Sequence, residues 1–385
     1  MEDYMIPLDA NLLLRILSLH LKNKGFSVWT LHFAFIILPY IILNNLYQQF
    51  FFLLDELFFS SYRKVQTDRS IFIVGPPRCG TSFFLDLINK SSDISSMRAW
   101  ELHFAPSICQ KLILLQIGKL DRLFGRPLYR QYLKINDLLW KEFKKIHDTS
   151  LFHYEEDAML FNHTGSSPFY LFVFPFDELM TYFREFDQST SPLYRSKFMK
   201  YYKKCIQKHL FVFGKNKTYA SKNPFFSTYI LTLKEHFKDA RFIYMTRTPY
   251  QVVPSAISLS TYFKHYSRYT TVEAFKNAVF ELLKKFYTYP LETLDFNDEQ
   301  RNILIQFRDL VQDPKSTIEK VLELFQISCP DELKQLLAKK AKQNYVSKNK
   351  YSLKGYNVDE TRFKELFGEI LSIFNYEDEE GAYDI

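Results

Sequence analysis

The stretch Ile71-Phe-Ile-Val-Gly-Pro-Pro-Arg-Cys-Gly-Thr-Ser82 constrains this chain more than any other. Ile71 to Val74 is a short apolar run rich in β-branched side chains, which predicts a strand buried on both faces of a parallel sheet. Gly75, Pro76, Pro77 and Gly80 break the run. Phe83, Phe84, Leu87 and Ile88 then follow at helical spacing. The stretch therefore reads as strand, sharp turn and helix N-terminus.

Such a turn presents backbone N–H groups and the positive end of a helix dipole, which suits phosphate. Arg78 and the hydroxyls of Thr81 and Ser82 add donors to the same cup. The residues also fit an ordinary strand-to-helix turn. They do not fit the triphosphate loop, which needs Gly, four residues, Gly, then Lys and Ser or Thr. Gly75 and Gly80 have that spacing, but Thr81 stands at the lysine position and the nearby cation is Arg78, inside the loop.

The 385 residues suit one large α/β domain with insertions, or two smaller ones, and 47% hydrophobic residues supply an ample core. The net charge is +7, and the acidic tail Glu377 to Ile385 holds five acids and no base, so the rest of the chain carries +12. A basic body suits an anionic ligand or an anionic membrane surface. No Lys/Arg block is dense enough to argue for nucleic acid. Cys79, Cys109, Cys205 and Cys329 are scattered, without the paired spacing of a zinc site or a redox dithiol, and favour a reducing compartment.

Leu8, Leu12, Leu13, Ile16, Leu17 and Leu21 fall near helical spacing, with Arg15, Lys22 and Lys24 among them. Phe26 to Leu46 follows, 21 residues without a formal charge and long enough to span a bilayer. His32, Pro39, Asn44 and Asn45 argue against spanning, and the alternatives are an in-plane membrane helix or a helical pair packed on the body. Residues 1–64 are thus an apolar helical segment, 65–376 the main domain and 377–385 an acidic tail.

Beyond the loop, residues 91–100 read as a loop and 101–146 as helical with a break near Gly125 to Pro127. Strands are expected at Thr218–Ser221, Arg241–Thr246 and Asn302–Phe307, with helices between them. Alternation of this kind predicts an α/β fold with a parallel sheet covered by helices on both faces.

Two motifs together carry a family resemblance. Gly75-Pro-Pro-Arg-Cys-Gly-Thr-Ser82 resembles the 5′-phosphosulfate loop of the sulfotransferases. Asp239 to Ser255 resembles their 3′-phosphate motif, in which an Arg ends a strand and a Ser lies eight residues later, as Arg247 and Ser255 do. Ser221-Lys-Asn-Pro224 and Trp100-Glu-Leu102 are similar to stretches of the tyrosylprotein and bacterial lipid branches. The resemblance covers roughly residues 52–374 and implies a three-layer, P-loop-like fold.

It also implies a co-substrate, 3′-phosphoadenosine-5′-phosphosulfate, and no metal. Arg78, Cys79, Gly80, Thr81 and Ser82 would hold its 5′ side and Arg247 and Ser255 its 3′-phosphate. Lys222 would reach the sulfuryl group. Lys348 and Lys350 are candidates to close over it, although the family's Arg-Lys-Gly form is absent there. Glu101, at a family-like distance after Arg78, is the candidate base, because a carboxylate beside apolar Trp100 is open to a raised pKa. A helix-terminal structural Glu is the competing reading. His103 is the next candidate, and the cluster His153, Glu155, Glu156 and Asp157 the third.

The aromatic residues between 152 and 213 and the apolar N-terminus point to a lipophilic hydroxyl acceptor, with a carbohydrate as the alternative. The cysteines favour a cytoplasmic body at a membrane face. The alternative is a single span with the body across the membrane. A phosphate-loop kinase or nucleotide hydrolase is the competing enzyme class, opposed by the missing loop lysine.

Overall fold

A computed structural model of the chain describes residues 5–141, 150–264, 271–342 and 352–379. The chain segregates into two compact units. The first comprises Met1–Thr67, Met97–Phe169 and Lys200–Asn216, and the second Asp68–Ser96, Tyr170–Met199 and Lys217–Ile385.

The second unit holds a five-stranded sheet: β1 (Ile71–Val74), β2 (Ile94–Ser95), β3 (Thr218–Lys222), β4 (Arg241–Thr246) and β5 (Asn302–Gln306). The spatial order is β2-β3-β1-β4-β5, and every pairing is parallel. β1 is central, with Ile73 opposite Lys222 on one side and Val74 opposite Tyr244 on the other. All four of its residues are buried, as the unbroken apolar run requires. Burying a Val, Ile or Phe side chain is worth about 1.5–3 kcal/mol. Phe72 shows where that comes from, since its ring packs near those of Phe226, Phe237 and Phe242.

The chain leaves β1 toward β2 and leaves β4 toward β5, in opposite directions along the sheet. The carboxyl ends of β1 and β4 therefore flank a topological switch point, where parallel sheets open a crevice for ligands. Gly75 lets the turn after β1 pass close to the backbone of β4 there. Its φ is 125°, and a Cβ there would lie 2.1 Å from the carbonyl oxygen of Met245 on β4.

Helices alternate with the strands as expected, with adjustments. Ile94–Ser95 is a strand and not part of a loop, because its two residues pair with Thr218 and Tyr219. β3 extends to Lys222. The segment read as one helix from 225 begins as a 3-10 turn, Pro224–Thr228, before Ile230–His236. That turn starts at Asn223, whose side chain accepts the Phe225 N–H at 3.1 Å.

The first unit is helical. Ala10–Lys24 starts at Asp9, whose carboxylate accepts the Leu12 N–H. Val28–Lys64 runs on as 37 helical residues, apolar enough and long enough to cross a membrane. A π-helical turn, Phe33–Ile37, sits just before Pro39, which cannot donate to the carbonyl four residues back. The region after 100 is broken once more than expected, into Ala99–Phe104, Ile108–Leu123 and Pro127–Trp140. Pro106 forces the extra break by driving Ala105 out of helical geometry, and a Ser107/Gln110 capping box restarts the helix.

Gly75→Ala is expected to destabilise the fold by about 3 kcal/mol or more, since both its φ and its contact with β4 resist a Cβ. Gly118→Ala, in the helix Ile108–Leu123 with nothing near its would-be Cβ, is expected to gain up to about 1 kcal/mol. Urea unfolding of both variants checks the pair; equal stabilities would contradict the close approach.

Candidate active site

The turn after β1 has two left-handed residues, Arg78 (φ 69°) and Gly80 (φ 79°). For Gly80 the reason is space as well as φ, because a Cβ would meet the Phe307 ring at 2.8 Å. Arg78 has no such freedom, and a non-glycine residue there costs on the order of 1–3 kcal/mol unless its surroundings enforce it. Two bonds do so. The Arg78 Nε donates to Ser255 Oγ at 3.1 Å, and the Arg78 carbonyl accepts from the Arg247 guanidinium at 3.1 Å. The alternation of left-handed residues just before Thr81–Ile88 turns successive N–H groups into a concavity suited to an anion.

The far wall is built by β3 and β4. Lys222, 2% exposed at the end of β3, donates from Nζ to Ser82 Oγ at 3.1 Å. The Gly75 N–H donates to Ser227 Oγ at 2.8 Å, which fixes the start of the turn. At the end of β4 the Arg247 guanidinium lies 4.2 Å above the Phe307 ring, and its backbone carbonyl accepts from the Tyr287 hydroxyl. Ser255 sits on the helix Pro249–Lys264, two turns after Arg247, and is buried. Thr248 and Ser221, each at most 1% exposed, hold side-chain oxygens without a protein partner beside these groups. Cys79 is fully buried, and burial pushes its thiol far above the usual range, so the thiol stays protonated.

Of the residues expected from the sequence, Arg78, Ser82, Lys222, Arg247 and Ser255 are thus brought together within the second unit, with Cys79, Gly80 and Thr81 in the same turn. Ser227, Phe307, Tyr287 and Thr248 were not foreseen as site residues; Phe307, the last residue of a predicted strand, and Thr248, inside Asp239 to Ser255, left a signal in the sequence. Lys348 and Lys350 lie outside the described residues.

Glu101 and His103 lie in the first unit, on Ala99–Phe104. Glu101 is 2% exposed and bonded at both oxygens. Oε1 accepts the Arg98 N–H at 3.1 Å, and Oε2 lies 2.6 Å from His209 Nδ1 and 3.8 Å from the buried Lys111 ammonium. Burial works to raise its pKa, but His209, Lys111 and the Arg98 N–H outweigh it and hold the carboxyl below its ordinary value. The raised pKa expected beside Trp100 is not what this environment produces. His103 has its pKa lowered, first by burial, so it is neutral at pH 7. In the third cluster, Asp157 is buried and accepts from the Tyr202 hydroxyl. Among the described residues no group of three His, Cys, Asp or Glu side chains converges as a metal site would need.

Comparisons with known proteins give the family. Residues 70–331 match the sulfotransferase family, and the chain belongs to it. It is 30% identical over 172 residues to the omega-hydroxy-beta-dihydromenaquinone-9 sulfotransferase Stf3 of Mycobacterium tuberculosis and to that of Mycobacterium bovis. Each match spans 43% of this chain and 43% of the relative, less than half of either. Among solved structures, sulfotransferase STF1 of M. tuberculosis superposes with a TM-score of 0.66 at 16% identity, covering 93% of this chain and 91% of that one. Sulfotransferase STF9 of Mycobacterium avium gives 0.65 at 16% identity, covering 86% and 83%. At such identities these two structures speak for the P-loop-like sulfotransferase fold.

Because its pKa is depressed on folding, Glu101 adds stability that is fully present above the unfolded value of about 4.3 and is lost as pH falls through the lower folded value. Glu101→Gln is expected to cost about 3 kcal/mol at neutral pH, since Lys111 stays buried without its counter-charge. The variant should also lose part of the wild-type stability decline below about pH 4.3. Thermal melts of both proteins between neutral and acid pH check this; parallel curves would refute it.

Proposed function

We propose that this chain transfers a sulfuryl group from 3′-phosphoadenosine-5′-phosphosulfate to a hydroxyl of a lipophilic acceptor. The observation that carries the reading is the Arg78–Ser255 bond. It joins the turn after β1 to the helix after β4 at the switch point of the sheet, so that two anion-binding elements face one crevice. The turn has the glycine cradle and N–H concavity a 5′-phosphate needs, and Arg247 with Ser255 has the donors a 3′-phosphate needs. The buried hydroxyls of Thr248 and Ser221 add donors that the protein itself does not use.

When bound, this co-substrate supplies the sulfuryl group for in-line transfer. The residues of the chain position and neutralise. Arg78 and Lys222 place two cations around one turn, where charge on bridging and peripheral oxygens would build. Burial of Lys222 keeps its ammonium poorly hydrated, so its field is strong. Aligned N–H groups at Gly80 to Ser82 need no reorganisation.

Glu101 is the proposed base. Its carboxylate is ionised at neutral pH, and His209 fixes its orientation. A second reading has a specific observation behind it: both Glu101 oxygens are already engaged, whereas His103 is held neutral. A lipophilic acceptor is favoured by the menaquinone-derived substrate in the names of the curated relatives and by the long apolar helix. The same helix supports attachment at a membrane face, and the four free thiols support a body on its cytoplasmic side.

Arg78→Ala and Lys222→Ala are expected to lower sulfuryl transfer to a long-chain alcohol about 10²-fold or more while melting stays close to wild type. Titration with adenosine 3′,5′-bisphosphate in EDTA should give tight binding. Binding of Mg-ATP instead would replace this reading with a kinase or nucleotide hydrolase, and preference for a soluble carbohydrate would replace the acceptor class. Glu101→Gln with bisphosphate binding intact and no turnover at any pH supports Glu101 as base; retained turnover, with loss in His103→Asn, transfers the role to His103.

A further inference from the structure

The helix Leu38–Phe59 is inside out. Four of its six buried residues are polar: Asn45, Gln48, Gln49 and Asp55. Every one of its exposed residues is apolar or aromatic, among them Leu43 (65% exposed), Phe50 (57%) and Leu57 (73%). In a soluble helical unit the pattern runs the other way, with the apolar stripe inward.

The polar side is fully employed within the first unit. The Asn45 amide donates to the His163 carbonyl at 2.7 Å, and Gln49 accepts the Ile6 N–H. Gln48 accepts from Gln110 at 2.7 Å. Asp55 accepts the N–H groups of Ile108 and Cys109 and pairs with the buried Lys208 at 2.8 Å. These bonds run from Asn45 to Asp55, nearly three turns. The polar face is therefore clamped to protein, and the apolar face is the one left outward.

The helix Ile108–Leu123, whose first turn Asp55 caps, repeats the arrangement. Ile113, Ile117, Leu120 and Leu123 are exposed, and exposed bases lie among and after them: Lys119, Arg122, Arg126, Arg130 and Lys134. The acid in their midst, Asp121, is turned to the N–H groups of Leu128 and Tyr129. Apolar side chains interleaved with exposed bases complement the acyl boundary and the anionic headgroups of a lipid surface.

We propose that these helices form a monotopic face which inserts into one leaflet of an anionic bilayer, with Leu38–Phe59 lying in the membrane plane. The inference rests on the membrane attachment proposed above and gives it a geometry. A spanning arrangement would draw the bonded polar side, with Asp55 and Lys208, into the hydrocarbon along with the helix. An in-plane one lets the apolar side enter lipid while the polar side stays on protein.

Co-sedimentation with vesicles tests the surface. The full chain should bind phosphatidylcholine vesicles containing phosphatidylserine, and bind vesicles of phosphatidylcholine alone at least tenfold more weakly. Leu43→Ser/Phe50→Ser/Leu57→Ser should lose binding tenfold or more with bisphosphate binding unchanged. Should that variant fail to fold, Arg122→Glu/Arg126→Glu, confined to exposed positions, should abolish the preference for phosphatidylserine. Depth tests the orientation. Leu43→Trp, Phe50→Trp and Leu57→Trp, read against the native tryptophan background, should all be quenched best by lipids brominated at one acyl depth. In a span, Leu43 and Leu57 would differ in depth by about 21 Å at 1.5 Å per residue, and the best quencher would change along the series. That gradient, absence of binding to either vesicle, or burial of the face in a dimer of this chain without lipid would each overturn the proposal. All readouts are binding and depth, so a wrong acceptor class leaves them intact.

Discussion

The approach of the β1 turn to the backbone of β4 is the contact on which the candidate site depends. Gly75 passes so close to the Met245 carbonyl that only a hydrogen fits between them. That proximity lets the Arg247 side chain reach the Arg78 carbonyl and Ser255 reach the Arg78 guanidinium. Arg78 then keeps a left-handed backbone that it would not keep alone. One steric fact thus sets the curvature of the turn, the direction of its N–H groups and the position of its cation. Phe307 closes the arrangement from β5, lying against Gly80 and under Arg247, so a third strand end bears on the same turn.

The first unit depends on a different physics. Its interior contains charge, with Asp55 against Lys208 and Glu101 against His209 and Lys111. Taking such ions out of water costs several kcal/mol each, on the order of what their attraction returns. They are tolerated because their remaining bonding capacity is met: Asp55 caps a helix, Glu101 accepts the Arg98 N–H at the start of its own helix, and Lys208 lies 3.6 Å above the Phe52 ring. Burial of polar groups on Leu38–Phe59 and exposure of its apolar groups are two views of one arrangement.

Much of the second unit was legible in the sequence because its signals are local. An unbroken apolar run marks a doubly covered strand, and glycines mark turns that a side chain cannot enter. Arg247 follows β4 directly and Ser255 lies eight residues on, in the helix Pro249–Lys264, so their relation is written in the chain. Ile94–Ser95 was missed because two residues show no period; the strand exists only through its bonds to β3. The break at Ala105 was open to reading from Pro106, which bars the preceding residue from helical geometry. Glu101 was placed on a helix start correctly, but its electrostatics were not, since His209 lies 108 residues away.

The sequence by itself determined the parallel sheet, the glycine turn after β1, the eight-residue spacing of Arg247 and Ser255 and the presence of a long apolar helix. Each follows from side-chain periodicity or backbone freedom within a few residues. Only the tertiary structure decided which way that helix faces, which carboxylates are buried with cations and why Arg78 holds its conformation. Those outcomes turn on partners far apart in the chain, such as Asp55 and Lys208, 153 residues apart, and Arg78 and Ser255, 177 apart. Burial and charge pairing are properties of such neighbourhoods, and a neighbourhood exists only once the chain has folded.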